Sequence, residues 1–238
     1  MIRAVLFDAG GTLIRVRGSV GVAYAGVAAE HGVDVADDEI EARFHAAFGG
    51  MPPLCFPGAS AGDIPAHERE WWKALVSKVF DGVAFADFDA YFNDLFDYFA
   101  DPLSWELFPD VRSALESLGE RRIRMGIVSN FDGRLLQICE GLGIASFFDT
   151  IALSSRVGHA KPDPRIFQVA LKALDTGASE ALHVGDSQEE DVGGAKAAGL
   201  HALLITRRGA THPGQIDDLR RVLDAFEERS PDDLSQRR

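Results

Sequence analysis

Cysteine is scarce: Cys55 and Cys139 are the only two in 238 residues. Two are too few for a disulfide framework and lack the paired spacing of a zinc site, which fits a reducing compartment. No apolar run approaches the roughly 20 residues of a membrane span. The apolar start of the chain, ending at Phe7, is shorter than the core of a secretory signal. The expectation is a cytoplasmic protein without a membrane partner. Basic residues are also few, with 24 Lys and Arg against 37 Asp and Glu and a net charge of −13. Such a field repels nucleic-acid backbones and argues against them as partners. A small anionic substrate stays open, because a metal ion and a few fixed cations reverse the sign inside one pocket. Disorder is excluded by a composition of 46% hydrophobic and 26% charged residues.

Apolar runs that end in turn signals organise the chain. Ala4-Val-Leu-Phe7 stops at Asp8-Ala-Gly-Gly-Thr12, which reads as a buried strand running into a glycine-rich turn. Similar runs recur at 124–129, 150–154, 181–184 and 201–205, separated by helix-like or loop segments. This alternation predicts an α/β, doubly wound, Rossmann-like parallel sheet. From about Val20 to Ala100 the pattern is helical instead, at 20–30, 38–48, 68–80 and 87–99, with a Gly- and Pro-rich break at 49–58. The expected organisation is an α/β core of residues 1–16 and 103–238 with an inserted helical cap domain at 17–102. The aromatic-rich segment 80–99 and Trp71-Trp72 are expected to pack the cap interior. The polar tail 230–238 is expected to fray.

Four motifs fall at the carboxyl ends of proposed strands, where open α/β sheets place ligands. Asp8-Ala-Gly-Gly-Thr12 puts a carboxylate beside a backbone that can approach a ligand closely, and alone reads equally as a capped turn. Ser129-Asn130 offers a hydroxyl and amides, and alone reads as a turn. In Lys161-Pro-Asp-Pro164 the prolines would fix the direction of the lysine. In Gly185-Asp-Ser-Gln-Glu-Glu-Asp191, two carboxylates that converge would repel unless a hard divalent cation relieves them, although Asp186 also suits a helix cap.

Together and in this order, the four motifs resemble the haloacid dehalogenase superfamily of hydrolases, over nearly the whole chain. The run from Ser129-Asn-Phe-Asp132 to Lys161-Pro-Asp-Pro-Arg-Ile-Phe167 is similar to the rhythmically-expressed-gene-like branch. The resemblance implies a phosphatase of small phosphorylated metabolites in which Asp8 is the nucleophile and forms an aspartyl-phosphate. It also implies Mg²⁺ held by Asp8, the Gly10 carbonyl and Asp186, with Asp191 close by to hold a metal-bound water or orient Lys161. Ser129, Asn130 and Lys161, with Gly11 and Thr12 of the first motif, would grip the phosphoryl group.

One position departs from the family pattern. Phosphatases of this superfamily carry a second Asp two places after the nucleophile to protonate the leaving alcohol, and here that place is Gly10. General acid–base catalysis is worth about 10²–10⁴-fold, so the loss is large. One explanation is that Arg43, His45, His67 or Arg69 of the cap substitutes; a second is that the leaving group needs no proton, as in acyl or aryl phosphates. Alternatively the reaction is that of a phosphonatase, for which the cap offers Lys73 and Lys78, or of a 2-haloacid dehalogenase. A weakly active module that binds a phosphometabolite or a protein is the non-enzyme alternative.

Overall fold

A computed structural model describes residues 2–207, 209, 212 and 214–224. The polar tail 230–238 lies outside the described residues. The first strand, β1 (Ala4–Phe7), is wholly buried. Val5 and Phe7 face a core shared with Val111, Leu115 and Ile138, whereas Ala4 and Leu6 face a second core built on Ile166, Phe167 and Ala170. Two covered faces explain why β1 reads as an unbroken apolar run rather than an alternating one.

After β1 the chain forms β2 (Ile14–Val16), then four helices, α1 (Val20–Glu30), α2 (Asp37–Gly49), α3 (Ile64–Val79) and α4 (Phe88–Tyr98). It returns through β3 (Trp105–Leu107), which pairs antiparallel with β2 through Ile14–Leu107, Arg15–Glu106 and Val16–Trp105. The four helices enclose a core of their own that includes Tyr24, Ile40, Leu75, Tyr91 and Leu95. Next come α5 (Val111–Glu120), β4 (Arg124–Ser129), α6 (Arg134–Gly141), β5 (Thr150–Leu153), α7 (Ser154–Val157), α8 (Pro164–Ala173) and β6 (Ala181–Gly185). A wide π-type turn at Gln188–Gly193 leads to α9 (Gly194–Ala197), β7 (His201–Ile205) and β8 (Gln215–Ile216).

The main sheet runs β5-β4-β1-β6-β7-β8, and every pairing in it is parallel. β1 lies at the switch point: the chain builds outward through β4 and β5 on one side, then through β6 and β7 on the other. Crevices of such sheets open at the carboxyl ends of the strands beside this point. Register sharpens the placement, since Phe7 stands opposite both Ile127 and Val184. Asp8, Ser129 and Asp186 therefore emerge from the same edge within a residue or two of one another. No helix among the described residues is long and apolar enough to cross a membrane.

Candidate active site

Asp8 leaves β1 almost fully buried, and its backbone N–H donates to the Val184 carbonyl at 2.9 Å, which holds it to the sheet. Its Oδ1 accepts from Ser129 Oγ at 3.0 Å and from Lys161 Nζ at 2.6 Å. Among the described residues Oδ2 has no hydrogen-bond donor, so one oxygen of the carboxylate stays available. Lys161 is also buried and donates to Asp191 Oδ1 at 2.5 Å. Asn130 fixes it from behind: its side chain accepts from Lys161 N at 2.7 Å and donates to Lys161 O at 3.0 Å.

Three donors hold Asp191. Oδ1 takes Lys161 and His183 Nε2, the latter at 2.9 Å, and Oδ2 takes the Ser187 N–H at 2.9 Å. Glycines make room for this cluster. A side chain at Gly185 would run into the Asp191 carboxylate, and one at Gly11, whose φ is +75°, would run into that of Asp186. One carboxylate oxygen from each of Asp8, Asp186 and Asp191 lies within 4.8 Å of the others.

The electrostatics follow from burial and crowding. Burial raises the Asp8 carboxyl above its ordinary value, and the Lys161 charge opposes the rise. Asp186 reaches the solvent, yet partial desolvation and the charges of Asp8 and Asp191 push it up to about 6. Asp191 shifts the other way, because hydrogen bonding from His183 and the Lys161 charge outweigh its burial. Burial alone would lower Lys161, but Asp8 and Asp191 more than compensate and raise it. The result is a firmly charged lysine between two carboxylates, with a third carboxylate short of countercharge. Clustered hard oxygens carrying excess negative charge suit a small divalent cation such as Mg²⁺.

This edge of the sheet opens into a cleft of about 730 Å³, which includes Asp8, Gly10, Ser129, Lys161, Asp186 and Asp191 in its lining. The far wall comes from α2, α3 and the loop between them, through Phe44, Phe48, Met51, Trp71 and Trp72. The two tryptophans, expected to serve packing alone, thus also face the cleft, Trp71 while nearly buried.

A match to the haloacid dehalogenase-like hydrolase family extends over residues 2–199. The chain belongs to the haloacid dehalogenase-like hydrolases. It is 33% identical to the haloacid dehalogenase-like hydrolase domain-containing protein 3 of Bos taurus over 222 residues, 92% of this chain and 87% of that one. It is 27% identical to the rhythmically expressed gene 2 protein of Drosophila melanogaster over 218 residues, 85% of this chain and 82% of that one. These relatives put it in the rhythmically-expressed-gene-like branch. Among solved structures, the magnesium-bound hydrolase YfnB of the same superfamily, from Bacillus subtilis, superposes with a TM-score of 0.74 at 18% identity, covering 95% of this chain and 99% of that one. At that identity the likeness shows the fold.

For a hydrolase of this family the placement of the remaining expected residues is informative. Thr12 is fully buried and does not line the cleft; its Oγ1 has no partner among the described residues, and its carbonyl accepts from Arg207. None of the four candidate proton donors lines the cleft either. Arg43 is bound to Glu39 and to the Val79 and Asp81 carbonyls, and Arg69 to Asn93 and the face of Phe96. His45 pairs with Glu41, while His67 packs on Phe56. Lys73 pairs with Asp89 at 2.6 Å, and neither it nor Lys78 lines the cleft.

Sequence reading missed His183, whose only signal was a histidine inside the apolar run 181–184, eight residues before Asp191. It also missed Glu68 and Asp132. Glu68 is buried on α3 and accepts from Gly133 N at 3.0 Å and Ser155 Oγ at 2.6 Å, while Trp72 Nε1 donates to Asp132 at 2.5 Å. These bonds tie α3 to the loop beyond β4 and to α7, and nothing in the local pattern announces such a pairing.

Proposed function

We propose that the chain is a Mg²⁺-dependent phosphatase of small phosphorylated metabolites, with Asp8 as nucleophile. The observation that carries this reading is the convergence of the Asp8, Asp186 and Asp191 carboxylates within 4.8 Å around a buried lysine. Asp8, the Gly10 carbonyl and Asp186 would hold the ion; Asp191, held by three hydrogen bonds, positions Lys161 and keeps an acceptor site on Oδ2 for a metal-bound water. When bound, Mg²⁺ supplies the positive charge that neutralises the carboxylates and draws in the phosphoryl oxygens.

The free Oδ2 of Asp8 attacks phosphorus while Ser129, Asn130 and Lys161 take the equatorial oxygens, with help from the Gly11 backbone. This fixed array of donors lowers the barrier of a loose transition state. The P–O bond to the leaving group breaks, and water then cleaves the aspartyl-phosphate to release inorganic phosphate. Residues 17–102 act as the cap domain, covering a core of 1–16 and 103–238. The absence from the cleft of any lysine but Lys161, itself charged and buried, speaks against Schiff-base chemistry of the phosphonatase kind. The crowded carboxylates speak against a metal-free dehalogenase.

The test is phosphate release from a panel of phosphomonoesters and acyl phosphates, with Mg²⁺ or EDTA, beside Asp8→Asn. Turnover that needs Mg²⁺ and disappears with Asp8→Asn is expected. Turnover that survives Asp8→Asn would falsify the assignment of the nucleophile.

A further inference from the structure

Two features of the cleft are independent of each other and bear on what departs with the phosphate. The first is its charge. Five carboxylates line it, Asp8, Glu41, Asp186, Glu190 and Asp191, against two cations, Lys161 and Arg15. Lys161 is taken up by Asp8 and Asp191, and Arg15 is paired with Glu106 at 2.7 Å with its guanidinium 5.2 Å from the Phe108 ring. A leaving group with its own phosphate or carboxylate would find no free countercharge. The far wall is aromatic instead. Phe48 is 44% exposed, a large apolar side chain facing solvent at the cleft, with its ring 5.9 Å from Trp71 and 6.4 Å from Trp72.

The second feature is the missing proton donor. No Cβ contact within 4 Å exists at Gly10, so the space where a side chain would stand beside the nucleophile is open. Of the other carboxylates of the lining, Glu41 is already engaged, since it accepts from the Gly21 N–H and pairs with His45. Glu190 is exposed on the π-type turn, where its backbone N–H donates to Ser187 Oγ.

We infer that the preferred substrates are phosphate monoesters of an uncharged aromatic hydroxyl, with the ring held against Phe48, Trp71 and Trp72. This rests on the phosphatase reading above and narrows its substrate class. Asp8 Oδ2 forms the new P–O bond, the ester P–O bond to the ring oxygen breaks, and the electron pair departs as a phenolate that is protonated later by water. A phenolic hydroxyl ionises near 10 and an aliphatic one close to water at roughly 16, so the aryl oxygen leaves without a donor and the alkyl oxygen does not. Aromatic contacts would select the ring that chemistry favours.

The experiment compares kcat/KM for phenyl phosphate, ethyl phosphate and acetyl phosphate in the wild type, Phe48→Ala and Gly10→Asp proteins with Mg²⁺. Phenyl phosphate is expected to exceed ethyl phosphate by about 10²–10⁴-fold, the usual worth of the absent donor, and Gly10→Asp to shrink that ratio at least tenfold. Phe48→Ala should raise KM for phenyl phosphate about 2–12-fold relative to that for acetyl phosphate. Phenyl phosphate turned over no faster than ethyl phosphate, or an unchanged KM ratio in Phe48→Ala, would overturn the aryl preference while phosphatase activity stands. No phosphate release from any of the three would overturn the phosphatase reading itself.

Discussion

Lys161 is the residue on which the candidate site balances. It is buried between Asp8 and Asp191, with Nζ at 2.6 and 2.5 Å from their oxygens. Removal of the cation leaves two facing carboxylates unshielded and takes a donor from the phosphoryl group. Lys161→Met is therefore expected to cut kcat by about 10²-fold or more, read by steady-state phosphate release, and a drop below tenfold would count against its placement at the phosphoryl oxygens. Gly185 matters for room: its missing side chain is what lets Asp191 reach Lys161. Gly185→Ala should push Asp191 aside and lower kcat at least tenfold while the far-ultraviolet spectrum of the folded chain is retained. Of the site's residues, those next to a strand end were legible in the chain, because an apolar run that stops at an acid or a serine marks its own position; Lys161, expected at a strand end, instead follows α7 and was legible only through its proline-flanked turn. His183 was not, since one polar residue within a buried strand is equally compatible with a satisfied core group.

At the scale of elements, α3 and the loop before it are fastened to the sheet side by polar bonds. Glu68 receives Gly133 N and Ser155 Oγ, Trp72 reaches Asp132, and Ser154 Oγ donates to the Leu54 carbonyl at 2.6 Å. Glu68→Ala strands one buried donor, the Ser155 hydroxyl, and one half-buried donor, the Gly133 N–H; loss of the buried partner costs about 1–3 kcal/mol. The expected outcome is lower stability by denaturant titration together with a raised KM, because the wall that carries Trp71 and Trp72 loses its anchor. Unchanged KM would show that these bonds do not set the geometry of the cleft. The helices and long strands of this chain were readable from periodicity: the expected run 20–30 coincides with α1, and 124–129 and 201–205 coincide with β4 and β7. β2 and β3 escaped because each is three residues long and carries a charge, the exposed Arg15 or the half-buried Glu106, that breaks any apolar signature.

The whole molecule carries a net charge of −13, and its cleft concentrates the same sign. This has a consequence for stability. Asp186 sits at about 6 in the folded protein against an ordinary 3.8, so the folded state binds its proton more tightly than the unfolded one. That group favours folding below 3.8 and withdraws its support as pH rises through 6; Asp8 shifts in the same direction. Asp191 is lowered, and its contribution is lost only below 3.8, outside this window. In EDTA the protein should accordingly melt higher near about pH 5.5 than near about pH 7.5. Mg²⁺ should erase much of the difference by binding the folded state at the higher pH. Each kcal/mol amounts to about 2–4 °C in a chain of this size; a melting point indifferent to Mg²⁺ at both pH values would argue against a metal at these carboxylates. By itself the sequence determined the parallel sheet, the helical insert, the four motifs and the empty place at Gly10, because each is written in neighbouring residues as a period, a run or a spacing. Only the tertiary structure decided that Arg43, His45, His67 and Arg69 point elsewhere, that Thr12 is buried, and that Phe48 and the two tryptophans face the cleft of Asp8. Those outcomes depend on which face of each helix the insert turns toward the sheet, and the packing of distant segments sets that rotation.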